Sequence, residues 1–141
     1  MKTEKISFIF PSFPSEDEFS SGSTGQPNLA MRVSRFPTEL SFLAVAGLVI
    51  DDEKEYSLSV DLYFGEDIVT DPEAEMHMVF HKSNLSAEGY YVSTFATPLT
   101  ATLPAPGIYT LRLSLYENKD GNRLLLDENE SQLVVSEGWN L

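Results

Sequence analysis

Two stretches in which apolar and polar residues alternate strictly constrain the fold of this chain more than any other feature. The first is Tyr56–Phe64 and the second is residues 109–115. Successive side chains of a β-strand point to opposite faces, so a period of two predicts strands with one buried and one solvated face. Each stretch places an aromatic ring and three aliphatic side chains on one face. We therefore predict two central strands on opposing sheets of a sandwich, with Thr110, Arg112 and Ser114 facing water.

Shorter apolar runs bounded by turn residues predict the remaining strands. These runs cover residues 5–10, 39–50, 76–81, 90–103, 123–126 and 132–135. Gly47 predicts a bulge or a close backbone approach, Pro98 predicts an edge or a bend, and residues 104–107 and Asp120-Gly121 predict turns. Seven or eight short strands without an amphipathic helix predict an all-β fold, specifically an antiparallel immunoglobulin-like β-sandwich.

The length of 141 residues predicts a single domain that spans residues 1–141. Within it, residues 11–35 are rich in serine, proline, glycine and acidic residues, a composition that does not support a packed core. We predict that this segment is a long loop or a partly disordered arm. Phe13 and Phe19 lie in it and are candidate anchors for a protein partner.

The net charge of the chain is strongly negative, at −13, and its nine Lys and Arg residues are scattered. Nucleic acid backbones and anionic membranes bind clustered cations, so neither is an expected partner, whereas a protein with a basic surface is. The alternative, that the acidic residues only confer solubility, stays open. The candidate contact residues are Asp51, Asp52, Glu53, Glu66, Asp67, Asp71, Glu73 and Glu75.

These candidate acids form two clusters, one on each side of the strand Tyr56–Phe64. A strand of nine residues spans roughly 30 Å, so the two clusters are expected at opposite ends of the sandwich. The second cluster is a candidate neighbour of the acidic residues 127–130.

Residues with catalytic or metal-binding chemistry do not form a recognisable motif in the sequence. There is no cysteine, and no serine lies in a nucleophile elbow. His77 and His81 would be roughly 13 Å apart along a strand, too far to share one metal ion. A partial match to a calcium-binding loop predicts a hairpin instead, although a weak calcium site formed by Asp120, Asp127 and Glu128 stays open. We expect no catalytic, cofactor-binding or metal-binding residues and no enzymatic activity.

Two segments carry a resemblance to known proteins: "RFPTELSFLAVAGLVI", from Arg35, and "APGIYTLRLSLYENKDGNRLLLDENESQLVV", from Ala105. The second combines a Pro-Gly-any-Tyr strand, a glycine turn, a short strand and a closing Val-Val strand. Across residues 35–136 the chain resembles small bacterial and prophage immunoglobulin-like β-sandwich proteins whose families have no assigned function. The resemblance implies the fold and brings no functional residues with it.

Three functions are compatible with these features. The first is a non-enzymatic interaction module, a bacterial or phage accessory protein that binds a protein partner through acidic loops or a strand edge. The second is an acidic inhibitor that mimics nucleic acid in a basic groove. The third is a carbohydrate- or calcium-dependent binding module with exposed aromatic residues such as Tyr63, Tyr90, Tyr91 and Trp139. The lack of a signal peptide and of a long apolar stretch predicts a cytoplasmic location. Pairing of strand edges leaves a homodimer open.

Overall fold

The computed structural model describes residues 4–13, 26–51, 54–71, 79–83 and 90–138, and for residues 79–83 and 90–91 it describes the backbone only. These residues form nine strands: β1 (Lys5–Ser12), β2 (Ala30–Val33), β3 (Thr38–Asp51), β4 (Tyr56–Phe64), β5 (Asp67–Ile68), β6 (Val79–Ser83), β7 (Tyr90–Leu103), β8 (Gly107–Lys119) and β9 (Asn122–Glu137). No helix occurs among them, and so no helix that could span a membrane.

The strands form two sheets that pack face to face. The four-stranded sheet has the order β1-β3-β7-β6, and the five-stranded sheet has the order β2-β9-β8-β4-β5. Neighbouring strands are antiparallel except β2 and β9, which are parallel. The predicted all-β fold with mainly antiparallel strands is therefore confirmed, and it has the architecture of a β-sandwich.

The core lies between the two sheets and is built from the inward faces of the alternating strands. Leu62 on β4 and Tyr109, Leu111, Leu113 and Leu115 on β8 are fully buried, as the alternation predicted. They pack in one cluster with Phe42, Phe95 and Leu133 from neighbouring strands, among others. The prediction that Ser114 faces water is wrong, because Ser114 is buried and donates a hydrogen bond to Glu128 Oε2 at 3.1 Å.

The two alternating stretches are neighbours in one sheet, which corrects the prediction that they lie on opposing sheets. β4 and β8 pair antiparallel, with Leu58 opposite Leu115, Val60 opposite Leu113 and Phe64 opposite Tyr109. Their apolar side chains thus lie side by side on the same inner face. The alternation predicts which side chains are buried, and these are the same whether the two strands lie in one sheet or in opposing sheets.

Gly47 lies beside a β-bulge, as its isolated position in an apolar run predicted. The register between β1 and β3 shifts between Ile6 and Phe8, so that Ser7 is the extra residue and Phe8 is opposite Gly47. The run itself is one continuous strand, β3. The ring of Phe8 lies directly over Gly47 on the outer face of the four-stranded sheet.

Proline does not interrupt β7. Pro98 pairs with Leu43 inside a strand that continues to Leu103, so the predicted interruption of the strand at this proline is wrong. Among the described residues, β6 begins at Val79 opposite Ala96, so its pairing with β7 stops before Pro98. The missing amide hydrogen of the proline therefore interrupts no described pair between these two strands.

The end of the chain is also more regular than predicted. The two expected strands after the hairpin form one strand, β9, with a register shift opposite Leu115 and Tyr116. The hairpin turn is confirmed: Asp120 and Gly121 have φ angles of 54° and 78° and connect the paired residues Lys119 and Asn122. Positive φ at both central residues matches the twist of the flanking strands.

The predicted loop over residues 11–35 is too wide at both ends. Pro11 and Ser12 belong to β1, and β2 lies inside the range, paired with β9. An isolated bridge also joins Ser12 to Pro27. Residues 14–25 lie outside the described part of the chain.

Candidate functional site

The described acids of the two predicted clusters lie at opposite ends of β4. Asp51 and Glu55 precede the strand, whereas Glu66, Asp67 and Asp71 follow it. The remaining candidates of these clusters lie outside the described residues: Asp52, Glu53, Glu73 and Glu75. The two acidic groups therefore do not combine into one site.

The acidic residues 127–130 do not join the second cluster. They lie in the middle of β9, where Glu130 is opposite Arg112 on β8 and Asp127 is opposite Leu115. Asp120 lies in the hairpin turn. Asp127 lies five residues after Asn122, the first residue of β9, and five residues of a strand span roughly 17 Å. The open calcium site formed by Asp120, Asp127 and Glu128 is therefore not assembled, and the described residues contain no metal-binding group of three His, Cys, Asp or Glu side chains.

Phe13 contributes to the edge of the core. Its ring lies 5.8 Å from the ring of Phe42, and its backbone amide donates to Asn28 Oδ1 at 3.3 Å. The half-buried ring packs against the main core cluster, so it does not project from a free loop. Phe19, the other candidate anchor, lies outside the described residues, as do His77 and Trp139.

A group of exposed apolar side chains that the sequence analysis missed lies on the outer face of the five-stranded sheet. Ile108, Ile68 and Val134 retain 62%, 55% and 46% of their accessible surface. Together with Tyr63 and Thr110, which are half-buried between them, they form what we call the outer patch. Large apolar side chains that cluster on a surface are a common mark of an interaction site.

Strand pairing brings the residues of the outer patch together from distant parts of the sequence. Ile108 on β8 lies directly opposite Val134 on β9. Tyr63 on β4 lies between Thr110 on one side and Ile68 on the other. Paired residues on one face of a sheet have Cβ atoms roughly 5 Å apart, and residues two apart on one strand are roughly 7 Å apart. The patch is therefore contiguous.

Residues of the outer patch are held outward by the burial of their neighbours. Tyr109 next to Ile108 is fully buried, and Leu133 and Val135 on either side of Val134 are buried as well. Since strand side chains alternate between faces, Ile108 and Val134 cannot turn inward without exposing these core residues.

An ion pair borders the outer patch on the same face. Arg112 Nε donates to Glu130 Oε2 at 2.7 Å, and the guanidinium lies 4.5 Å from the ring centre of Tyr63. The hydrogen bond to Glu130 raises the pKa of Arg112. Arg112 thus links the aromatic ring of the patch to the carboxylates of β9.

Other carboxylates lie beside the outer patch. Asp61, two residues before Tyr63 on β4, accepts a hydrogen bond through Oδ1 from Thr70 Oγ1 at 2.7 Å. Glu66 and Asp67, in the turn that leads to Ile68, are exposed. The apolar surface is therefore flanked by negative charge.

A second exposed apolar pair lies at the far end of the same sheet. Leu124 and Leu125 retain about half of their accessible surface near the β8–β9 hairpin turn. The guanidinium of Arg123 lies 4.0 Å from the ring centre of Tyr116 beside them. Leu125 faces Tyr116 and Leu124 faces Glu117, so the two leucines point to opposite faces and do not form one surface.

An opening of about 350 Å³ lies between the two sheets. Its described lining is mainly apolar, with Leu48, Ile50, Leu58 and Leu115, and with the hydroxyl groups of Tyr56, Ser57 and Ser93 as its polar part. Those described lining residues include no carboxylate, amine or imidazole.

A buried carboxylate organises the polar contacts where β1 begins. Glu4, which is 5% exposed, accepts hydrogen bonds from Lys54 Nζ at 2.9 Å and from the Tyr56 hydroxyl at 3.0 Å. That hydroxyl also accepts the amide hydrogen of Asp51 at 2.9 Å. Burial raises the pKa of Glu4, but the hydrogen bonds and the charge of Lys54 outweigh it and lower the pKa to about 2. Burial raises the pKa of Tyr56. These contacts join Glu4 to the end of β3 and to the start of β4, which indicates a structural role.

Comparison with known proteins gives no family for this chain. A scan against protein-family models found no match, and a search of curated proteins found no relative. The outer patch and its acidic border are therefore interpreted from their geometry alone.

Proposed function

We propose that this protein is a non-enzymatic interaction module with immunoglobulin-like topology that binds a protein partner through the outer patch. The observation that carries the proposal is the contiguous surface formed by Ile68, Ile108 and Val134 around Tyr63. Three large aliphatic side chains at about half exposure or more on one regular sheet face have no role in the core of this fold.

The strand order supports the immunoglobulin-like topology. Lettered along the chain, immunoglobulin domains place strands A, B, E and D in one sheet and strands C, F and G in the other. When β1, β3, β4, β6, β7, β8 and β9 are lettered A to G in chain order, the four-stranded sheet has the order A-B-E-D. The five-stranded sheet then contains G, F and C as neighbours, which is the order of the second immunoglobulin sheet read in reverse. β2 and β5 extend the second sheet at its two edges.

A tyrosine contact at the crossing between sheets supports the same topology. The Tyr109 hydroxyl donates to the carbonyl oxygen of Ala105 at 2.5 Å and accepts the amide hydrogen of Ala105 at 3.3 Å. Immunoglobulin domains carry a tyrosine of this type near the start of strand F, bonded to the backbone a few residues earlier. Tyr109 lies near the start of β8, the strand in the corresponding position.

The two other functions receive less support from the site. A nucleic acid mimic requires a continuous stripe of unpaired acids, whereas Arg112 occupies the middle of this face in an ion pair with Glu130. A carbohydrate site requires a free aromatic face, whereas the ring of Tyr63 is covered by the same guanidinium. Neither of these alternatives gives the exposed aliphatic residues a role, whereas binding of a protein partner does.

The proposal is tested by capture of partners from a lysate of the native cells with three tagged proteins. One is the wild type, one carries Ile108→Glu with Val134→Glu, and the matched control carries Leu124→Glu with Leu125→Glu. All four positions are exposed, so each variant is expected to keep the wild-type free energy of unfolding to within about 1 kcal/mol.

We expect one protein to be captured in stoichiometric amount by the wild type and by the hairpin control, and to be lost with the outer-patch variant. Equal capture by all three proteins would show that another surface makes the contact. Failure of the wild type to retain any protein would count against an interaction module.

A further inference from the structure

We infer that the partner surface that fits the outer patch has an apolar centre flanked by lysine or arginine side chains. This inference rests on the proposed function and adds the chemistry of the partner. It is drawn from the charges that border the patch, from their hydrogen-bond partners and from the cost of placing like charges together.

The border of the outer patch carries an excess of negative charge. Four carboxylates lie in the row of side chains next to it or in the adjoining turn and strand: Asp61, Glu66, Asp67 and Glu130. Two cations lie near it on the same face: Arg112 lies beside Tyr63, and Arg32 lies on β2, two residues after Ala30, which pairs with Val134. Four negative and two positive charges leave a net charge of −2 around the apolar surface.

The one arginine in the row next to the patch does not balance these carboxylates. Arg112 lies between Asp61 and Glu130 in the strand pairing and binds Glu130 at 2.7 Å. Glu66 and Asp67, at the other side of Tyr63, are exposed. A partner that covers the patch must therefore place positive groups near these acids or bury their excess negative charge uncompensated, which is costly.

The same charges disfavour a second copy of this chain as the occupant. Two identical outer patches packed together would each bring a border with a net charge of −2. Like charges brought together in this way cost free energy. Anionic lipid surfaces and nucleic acids are disfavoured for the same reason.

Two synthetic peptides serve as probes in an NMR titration of the isotope-labelled protein. Both have about nine residues, the length of β4, and share a centre of alternating valine and threonine, but one has lysine flanks and the other has glutamate flanks. We expect the lysine peptide to shift the amide signals of Ile68, Ile108, Thr110 and Val134. Its affinity should fall by roughly tenfold between about 50 and 300 mM NaCl, because exposed charges are screened by salt. The glutamate peptide should cause no shifts.

Charge reversal near the patch is the specific test. The double variant Glu66→Lys with Asp67→Lys should bind the lysine peptide roughly fivefold to tenfold more weakly than the wild type. The matched control, Glu39→Lys with Glu55→Lys, changes the net charge of the protein equally at exposed positions outside the patch. It should bind like the wild type.

Each of the remaining outcomes would contradict either the basic partner or the docking face. Equal binding of both peptides at the patch would leave the docking face in place and overturn the basic partner. Shifts confined to other residues, or no shifts with either peptide, would overturn the partner chemistry, while the docking face is judged separately by the capture experiment. A dimer in sedimentation equilibrium that is lost in the Ile108→Glu with Val134→Glu variant would show that a second copy is the occupant.

Discussion

The ring of Phe8 occupies the space in which a side chain at position 47 would begin: a Cβ atom on Gly47 would lie 2.3 Å from Cε2 of Phe8. The same ring stacks on Phe10, with 5.7 Å between the ring centres. Replacing Gly47 with alanine therefore forces Phe8 away from the sheet. Because the ring of Phe8 is exposed and can move, we expect the free energy of unfolding to fall by up to about 1 kcal/mol, measured by urea denaturation.

The double variant Phe8→Ala with Gly47→Ala tests whether the ring of Phe8 is the reason that Gly47→Ala lowers stability. Once the ring is removed, a methyl group at position 47 meets no close neighbour from it, so the cost of Gly47→Ala should disappear. It should even become slightly favourable, because alanine restricts the unfolded chain more than glycine does. An unchanged cost in the Phe8→Ala background would mean that the backbone, and not the ring, requires glycine.

Local sequence patterns were sufficient to predict the close approach at Gly47 and the buried faces of the strands. An isolated glycine in an apolar strand indicated a close approach, and alternation indicated that Leu62, Leu111 and Leu113 face the core. Pairing is different, because it depends on residues far apart in sequence. The prediction that β4 and β8 belong to opposing sheets was wrong, although the buried side chains were assigned correctly.

The candidate site was hidden from the sequence for the same reason. Ile68, Ile108 and Val134 lie on three different strands, and a lone exposed apolar residue is common on protein surfaces. Only the register of β5, β4, β8 and β9 places them side by side. The acidic clusters stood out in the sequence because their members are adjacent, and the structure places their described members at opposite ends of β4, as the length of that strand predicted.

Tyr109 should contribute to stability through its hydroxyl group as well as its ring. The residue is fully buried, and its hydroxyl makes two hydrogen bonds with the backbone of Ala105. Tyr109→Phe leaves these backbone groups without their partner, so we expect a loss of about 1 to 2 kcal/mol in the free energy of unfolding. Tyr116→Phe, a half-buried ring next to Arg123, is the control and should change stability by less than about 0.5 kcal/mol. Equal effects of the two changes would contradict a special role for Tyr109.

Glu4 should make the stability of the protein depend on pH in the acid range. Its pKa is 4.5 when unperturbed and about 2 in the folded state. Between these values the unfolded chain binds the proton and the folded protein does not, so stability rises with pH. The contribution of Glu4 is fully present above about pH 4.5 and is lost as the pH falls through about 2. It is on the order of 2 kcal/mol.

Urea denaturation of the wild type and of Glu4→Gln between about pH 6 and pH 2.5 measures this contribution. The difference in free energy of unfolding between the two proteins should be largest near pH 6 and should shrink on acidification. Tyr56→Phe removes one of the donors to Glu4 and should show an intermediate slope. A difference that stays constant across this range would show that the carboxylate charge of Glu4 does not stabilise the fold.

Hydrogen bonds from two side chains of β9 to the backbone of Ile6 should hold β1 against β9. Asp127 Oδ2 accepts the amide hydrogen of Ile6 at 2.8 Å, and Asn129 Nδ2 donates to the carbonyl oxygen of Ile6 at 3.4 Å. Asp127→Ala leaves a partly buried amide without this acceptor, so we expect a loss of about 1 to 3 kcal/mol and faster hydrogen exchange at Ile6. Asn129→Ala should cost less, because its hydrogen bond is longer.

Asp127→Asn keeps an acceptor oxygen at the same place and should restore most of the protection of the Ile6 amide. Glu128→Gln, a change to an adjacent residue that faces the opposite side of β9, is the control and should leave the exchange at Ile6 as it is in the wild type. If Asp127→Ala and Glu128→Gln accelerate exchange at Ile6 equally, the effect comes from the charge of β9 and not from the hydrogen bond to Asp127. If neither does, the backbone pairing with β3 alone holds β1, since Ile6 also pairs there with Leu48.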